Sequence, residues 1–174
     1  YQFKVELINA AGNKENYVVT MEVTNKKLKT ISSVPAYKLS GTQELKIPAG
    51  DFTLVLNIPA TSEVEKSVAT YKIPAPTEVG NGFITIQYNS LSKLYPENYR
   101  PLGAEPVGTV EISGKIFYKY YDSSVKNYEG VAKTGVPYTS YATNAGPGML
   151  EAEIYGDNNV QKFFEDILLK AEIK

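Results

Sequence analysis

Cysteine, histidine and tryptophan are all missing from this chain of 174 residues. Without cysteine or histidine there is no zinc finger, no haem held by an imidazole, no thiol nucleophile and no Ser-His-Asp triad. Without tryptophan, the aromatic side chain most favoured at interface hot spots is absent. Arginine is nearly absent too: Arg100 stands alone against 17 lysines. Bidentate clamping of phosphate or carboxylate, which the guanidinium fork does best, is therefore disfavoured. Charge of one sign is also lacking, since 18 basic side chains face 19 acidic ones. A nucleic-acid partner is not expected without a cationic surplus. No apolar run approaches the roughly 18 to 20 residues of a membrane-spanning helix.

What is present is ordinary for a globular protein: 43% apolar and 21% charged residues. At this size a chain buries roughly two-thirds of its unfolded surface and folds without disulfide or metal. The length fits one compact domain, or two lobes at 1–89 and 107–174 separated by Pro- and Gly-rich stretches. The breakers include Pro74-Ala75-Pro76, Gly80-Asn81-Gly82, and Pro96, Pro101, Gly103, Pro106 and Gly108.

Period-two alternation dominates. Phe3, Val5 and Leu7 share one face, as do Tyr17, Val19, Met21 and Val23. Leu45 and Ile47 lead through Pro48-Ala49-Gly50-Asp51 into Phe52, Leu54, Leu56 and Ile58. Ile84 to Tyr88, Val110 to Ile112, Ile116 to Tyr121 and Leu150 to Ile154 read as further strands. Thr61 to Tyr71 reads as a short helical turn, with Ser62 and Glu65 as a capping box, followed by a strand. One helix closes the chain. Asp157 is its N-cap, and Val160, Phe163, Phe164, Ile167, Leu168 and Ala171 form its core stripe, with Leu169 nearly opposite. The expected fold is mainly β (α+β): an antiparallel, sandwich-like sheet with a C-terminal helix packed on it.

Residues 45–58, LKIPAGDFTLVLNI, resemble the strand-turn-strand edge of prealbumin-like and Cna-B-type β-sandwich modules of bacteria. The alternating first strand with its Gly12-Asn13 turn is similar as well, and the resemblance spans at most residues 1–90. It implies a surface or stalk role, in some members with a Lys–Asn isopeptide cross-link; it assigns no residue of this chain to that chemistry.

An extracytoplasmic bacterial location is expected on composition. None of the twelve asparagines lies in an Asn-x-Ser/Thr acceptor, and Lys, Asn and Tyr are abundant. The chain also opens at Tyr1 inside a strand pattern, as a mature form without its leader would.

Several motifs yield to plainer explanations. Ser123-x-x-Lys126 with Lys133-Thr134-Gly135 matches penicillin-binding enzymes in letters but not in spacing, and Ser90-x-x-Lys93 fits the first element equally well. Asp122-Ser123-Ser124 and Asp157-Asn158-Asn159 offer oxygen ligands but suit turns and caps better. Ala145-Gly146-Pro147-Gly148 precedes a strand and makes a poor phosphate cradle. No metal or other cofactor is expected. Glu151 and Glu153 share one face of a strand, roughly 6.5 to 7 Å apart by strand rise. Leu150, Ala152 and Ile154 claim the core on the opposite face, so the two acids are expected in solvent.

Tyrosine is the most informative cluster. Seven of the fourteen lie between Tyr118 and Tyr155. Tyrosine covers half-buried sheet faces, but its apolar ring and polar tip also suit binding surfaces. Tyr95, Tyr99, Tyr138 and Tyr141 sit in Gly/Pro-flanked, loop-like stretches and are the candidate binding residues. The leading expectation is a non-catalytic ectodomain of a bacterial surface protein or lipoprotein that contacts a protein or glycan. One alternative is a carboxylate-based enzyme acting on polysaccharide through Glu151 and Glu153. Another is carriage of a small apolar ligand between sheet and helix, beside Phe163 and Phe164.

Overall fold

A computed structural model describes residues 2–8, 14–24, 27–35, 41–123 and 136–174, the first three segments as strands only. The chain divides into two compact units, Tyr1–Leu39 and Ser40–Lys174. The first contains an antiparallel meander of β1 (Gln2–Ile8), β2 (Lys14–Thr24) and β3 (Lys27–Pro35), in that order.

The second unit holds all the described side chains. Its strands are β4 (Thr42–Ala49), β5 (Phe52–Pro59), β6 (Glu65–Lys66), β7 (Thr70–Pro74), β8 (Gly82–Asn89), β9 (Glu105–Ile112), β10 (Lys115–Asp122), β11 (Tyr138–Ala145), β12 (Gly148–Gly156) and β13 (Glu172–Ile173). Helix α1 spans Asn158–Leu169. Seven strands form an antiparallel sheet in the order β6-β7-β8-β12-β11-β10-β9, and β13-β5-β4 form a smaller one. The fold is mainly β, with α1 packed on the sheets.

The two faces of β12 organise this unit. Leu150, Ala152 and Ile154 point to one side with Ile84 and Ile86 of β8, their register partners or near neighbours. Against that side lie α1, through Val160, Phe163, Phe164, Ile167 and Leu168, and the inner residues Leu54, Leu56 and Ile58 of β5. Each large apolar side chain so buried contributes about 1.5–3 kcal/mol. This is the dry core. Phe163 and Phe164 meet edge-on at 5.0 Å and are both buried within it.

The helix starts where the sequence predicts. Asp157 caps it by accepting from the Asn159 and Val160 amides, at 2.9 and 3.1 Å. Its first turn presses on Gly82 and Gly156, which are register partners. A Cβ on Gly156 would lie 2.6 Å from the Val160 side chain, and one on Gly82 would lie 2.7 Å from it. Only glycine lets helix and sheet approach this closely.

Three expectations change. Thr61–Tyr71 forms no helical turn: Glu65 and Lys66 pair with Lys72 and Tyr71, and the Ser62 carbonyl accepts from Gln43 Nε2 at 2.9 Å. The division between units falls at Leu39 and Ser40, not between residues 89 and 107, because β8 pairs along its whole length with β12. Residues 138–145 form a strand near the middle of the large sheet and not a loop.

Candidate functional site

The second face of β12 carries Met149, Glu151, Glu153 and Tyr155. Their register partners are Asn89, Gln87, Thr85 and Phe83 on β8, and Asn144, Ala142, Ser140 and Tyr138 on β11. The expectation of two solvated acids fails here. Glu151 is 4% exposed and Glu153 is 7% exposed. A strand in the centre of a sheet is wet on its second face only if nothing covers that face, and here residues 90–104 cover part of it. Leu94, Ala104 and Tyr99 pack with Tyr120, Ala142 and Met149.

Neutral donors hold both carboxylates. Glu151 Oε1 accepts from the Tyr99 hydroxyl and from Ser140 Oγ at 2.8 Å, and its Oε2 accepts from Gln87 Nε2 at 3.3 Å. Glu153 accepts from the Tyr138 hydroxyl at 2.7 Å and from Thr85 Oγ1 at 3.0 Å. Among the described residues no lysine or arginine forms an ion pair with either acid. Burial pushes the Glu153 carboxyl up, the Glu151 charge adds to that, and the Tyr138 and Thr85 hydroxyls resist it. Burial likewise raises the Tyr99 and Tyr138 phenols, and the adjacent carboxylates raise them further. They therefore stay protonated and act as donors.

Chemically, the cluster is a pair of carboxyl groups held by neutral donors, of which Glu153 has its affinity for a proton raised by burial. General acid–base catalysis needs such a group within reach of substrate, whereas here the oxygens are already bonded and covered. Among the described residues no three acidic side chains gather as metal ligands.

The four candidate tyrosines separate. Tyr95 is 59% exposed on the covering loop. Tyr99, in the same loop, turns inward to Glu151 and meets Tyr120 edge-on at 5.3 Å. Tyr138 and Tyr141 are buried strand residues and offer no surface to a partner. Their side chains point to opposite faces, so Tyr138 bonds Glu153 while Tyr141 donates to Glu165 of α1 at 2.6 Å. Burial opposes charge on Glu165, but hydrogen bonds from Lys119 and Tyr141 outweigh it and hold that carboxyl below its usual range.

Sequence reasoning missed Thr85, Gln87, Ser140 and Asn144. They are small polar residues at alternate strand positions, and only knowledge of which strands neighbour β12 would have gathered them. Asn144 serves the loop directly. Its Oδ1 accepts the Leu94 amide at 2.8 Å and its Nδ2 donates to the Leu94 carbonyl at 3.2 Å.

Comparison of the chain with protein-family models, with curated proteins and with solved structures gives no match.

Proposed function

We propose that this chain is an extracytoplasmic bacterial binding domain that works without catalysis and engages a protein or glycan partner through the loop of residues 90–104. One observation carries this reading: the loop is fastened on its inner side and apolar on its outer side. Asn144 grips Leu94, and Tyr99 reaches Glu151. From the same segment Leu91, Tyr95 and Leu102 project at 95%, 59% and 42% exposure. A binding loop fixed in advance loses less conformational entropy on association, and a loop presented by a rigid scaffold is a common seat of recognition. Leu102 adds to this, for it sits in the left-handed region at φ 49°, which is costly for a side chain with a Cβ. Strain of that kind persists where the surrounding structure holds it and concentrates at ligand-contacting segments.

The bacterial part of the reading is supported by composition, and the cell-surface part by the resemblance of residues 45–58 to bacterial surface modules. The test is an array of bacterial envelope glycans and host extracellular proteins, probed with the full chain and with Leu91→Ser/Tyr95→Ser/Leu102→Ser. Binding by the parent chain and its loss in a variant that unfolds at the same temperature is the expected result. Equal binding by both removes the loop from the site.

The sequestered acid pair favours a second reading, a polysaccharide-acting enzyme whose substrate enters when the 90–104 loop lifts. Release of reducing sugar by the parent chain, abolished in Glu151→Gln and Glu153→Gln, would replace the first reading with this one.

A further inference from the structure

On the opposite side of the large sheet a groove of about 380 Å³ runs between α1 and strands β9, β10 and β11. That is the lower part of the range for small-ligand pockets, roughly 300–1,000 Å³. We propose that this groove binds a short saccharide, separately from the loop surface, with the Tyr121 ring as platform and the polar stripe of α1 as the hydrogen-bonding wall.

The floor comes from a defect in the strand pairing. On β9, Gly108 pairs with Lys119 and Pro106 with Tyr120, which leaves Val107 between them without a partner on β10. This is a β-bulge, a device that bends an edge and re-aims side chains. Val107 lines the groove at 54% exposure, beside Tyr121 at 37%. A half-exposed phenol ring with an aliphatic neighbour presents an apolar surface suited to the C–H face of a pyranose, while its hydroxyl remains a polar handle.

The wall supplies both donors and acceptors, as a polyhydroxylated ligand requires. Gln161 Nε2 is fully engaged, donating to the carbonyls of Pro137, Ile154 and Gly156 at 2.9, 3.0 and 3.3 Å. Its Oε1 is buried, so Gln161 braces the wall and the ligand contacts fall to its neighbours Lys162 and Glu165. Glu165 receives Lys119 Nζ at 2.5 Å and the Tyr141 hydroxyl at 2.6 Å, both on Oε1. Its Oε2 is then left for a ligand hydroxyl. Lys162, exposed at the groove, is a cation with no ion pair among the described residues. With Lys119 neutralised by Glu165, the groove has one positive charge to offer, and a sugar carboxylate is its natural mate.

Saturation-transfer NMR and calorimetry on the full chain test this, with digalacturonate, cellobiose and chitobiose as probes. Expected is binding with digalacturonate preferred. Tyr121→Ala should weaken it about tenfold or more, the loss of one stacked ring and its packing. Tyr121→Phe should retain most of the affinity, which separates loss of the ring from misfolding. Lys162→Ala should erase the preference for the acidic sugar. Leu91→Ser/Tyr95→Ser/Leu102→Ser should bind sugar like the parent chain, so failure of the loop reading and failure of this one are distinguishable. Absence of saturation transfer with all three probes, unchanged affinity in Tyr121→Ala, or loss confined to the loop variant would overturn the proposal.

Discussion

The two faces of β12 are built from alternate residues of one strand, yet they solve burial in different ways. Leu150, Ala152 and Ile154 enter a dry core closed by α1 and β5, where shape alone decides the energy. Glu151 and Glu153 enter a covered face in which every carboxylate bond comes from a hydroxyl or an amide. On the helix face, by contrast, Glu165, an acid held between sheet and helix, has a lysine partner. The difference teaches that burial without a cation raises a carboxyl, as at Glu153, whereas a lysine and a hydroxyl donating to it lower one, as at Glu165.

The contrast is broken hardest from the dry side. Phe164→Ala removes a fully buried ring and should cost about 3–5 kcal/mol, read by urea unfolding. On the acid face Tyr138→Phe keeps the ring and deletes one donor, so about 1–3 kcal/mol should be lost; a loss as large as that of Phe164→Ala would show that the hydroxyl holds the face together. Asn144→Ala should cost about 1 kcal/mol and loosen the covering loop, seen as faster proteolysis within 90–104.

The pH dependence sharpens the comparison further, because the two acids have opposite signs. Glu153 has its folded value raised. Its contribution is whole below the ordinary carboxylate range and is lost as pH rises through the folded value. Glu165 has its folded value lowered, so its contribution is present above the ordinary range and lost as pH falls. Thermal unfolding from pH 4 upward should therefore show a decline that Glu153→Gln flattens. Smallest is Lys119→Met: the pair with Glu165 is partly exposed, so about 0.5–1 kcal/mol is expected, mostly in the acid limb of the same profile.

Much of this fold is legible in the sequence, for physical reasons visible residue by residue. Aliphatic alternation marks β5, β8 and β12, and the stripe from Val160 to Ala171 marks α1, because apolar period reports a single buried face. Leu169 falls outside that stripe and is exposed. The strand β11 escapes because Tyr138-Thr139-Ser140-Tyr141-Ala142-Thr143 has no aliphatic side chain larger than alanine. Both its faces are buried, and each carries hydroxyl groups bonded to acids, so polarity no longer signals solvent. The same reason hid Glu151 and Glu153. Of the candidate tyrosines, Tyr95 lies on the surface and Tyr138 and Tyr141 do not, since a Gly/Pro-flanked stretch is also what two hairpin turns around a central strand look like.

The grip of Asn144 on Leu94 has a consequence for motion. One side-chain amide supplies both the acceptor and the donor that a neighbouring strand would supply, so residue 94 is paired as if it belonged to the sheet, though it lies in a segment without regular structure. Its amide proton should exchange with solvent at the pace of ladder protons, while that of Tyr95 washes out early. Asn144→Asp, which retains an acceptor and deletes the donor, would leave residue 94 half-paired: a hinge in place of a clasp.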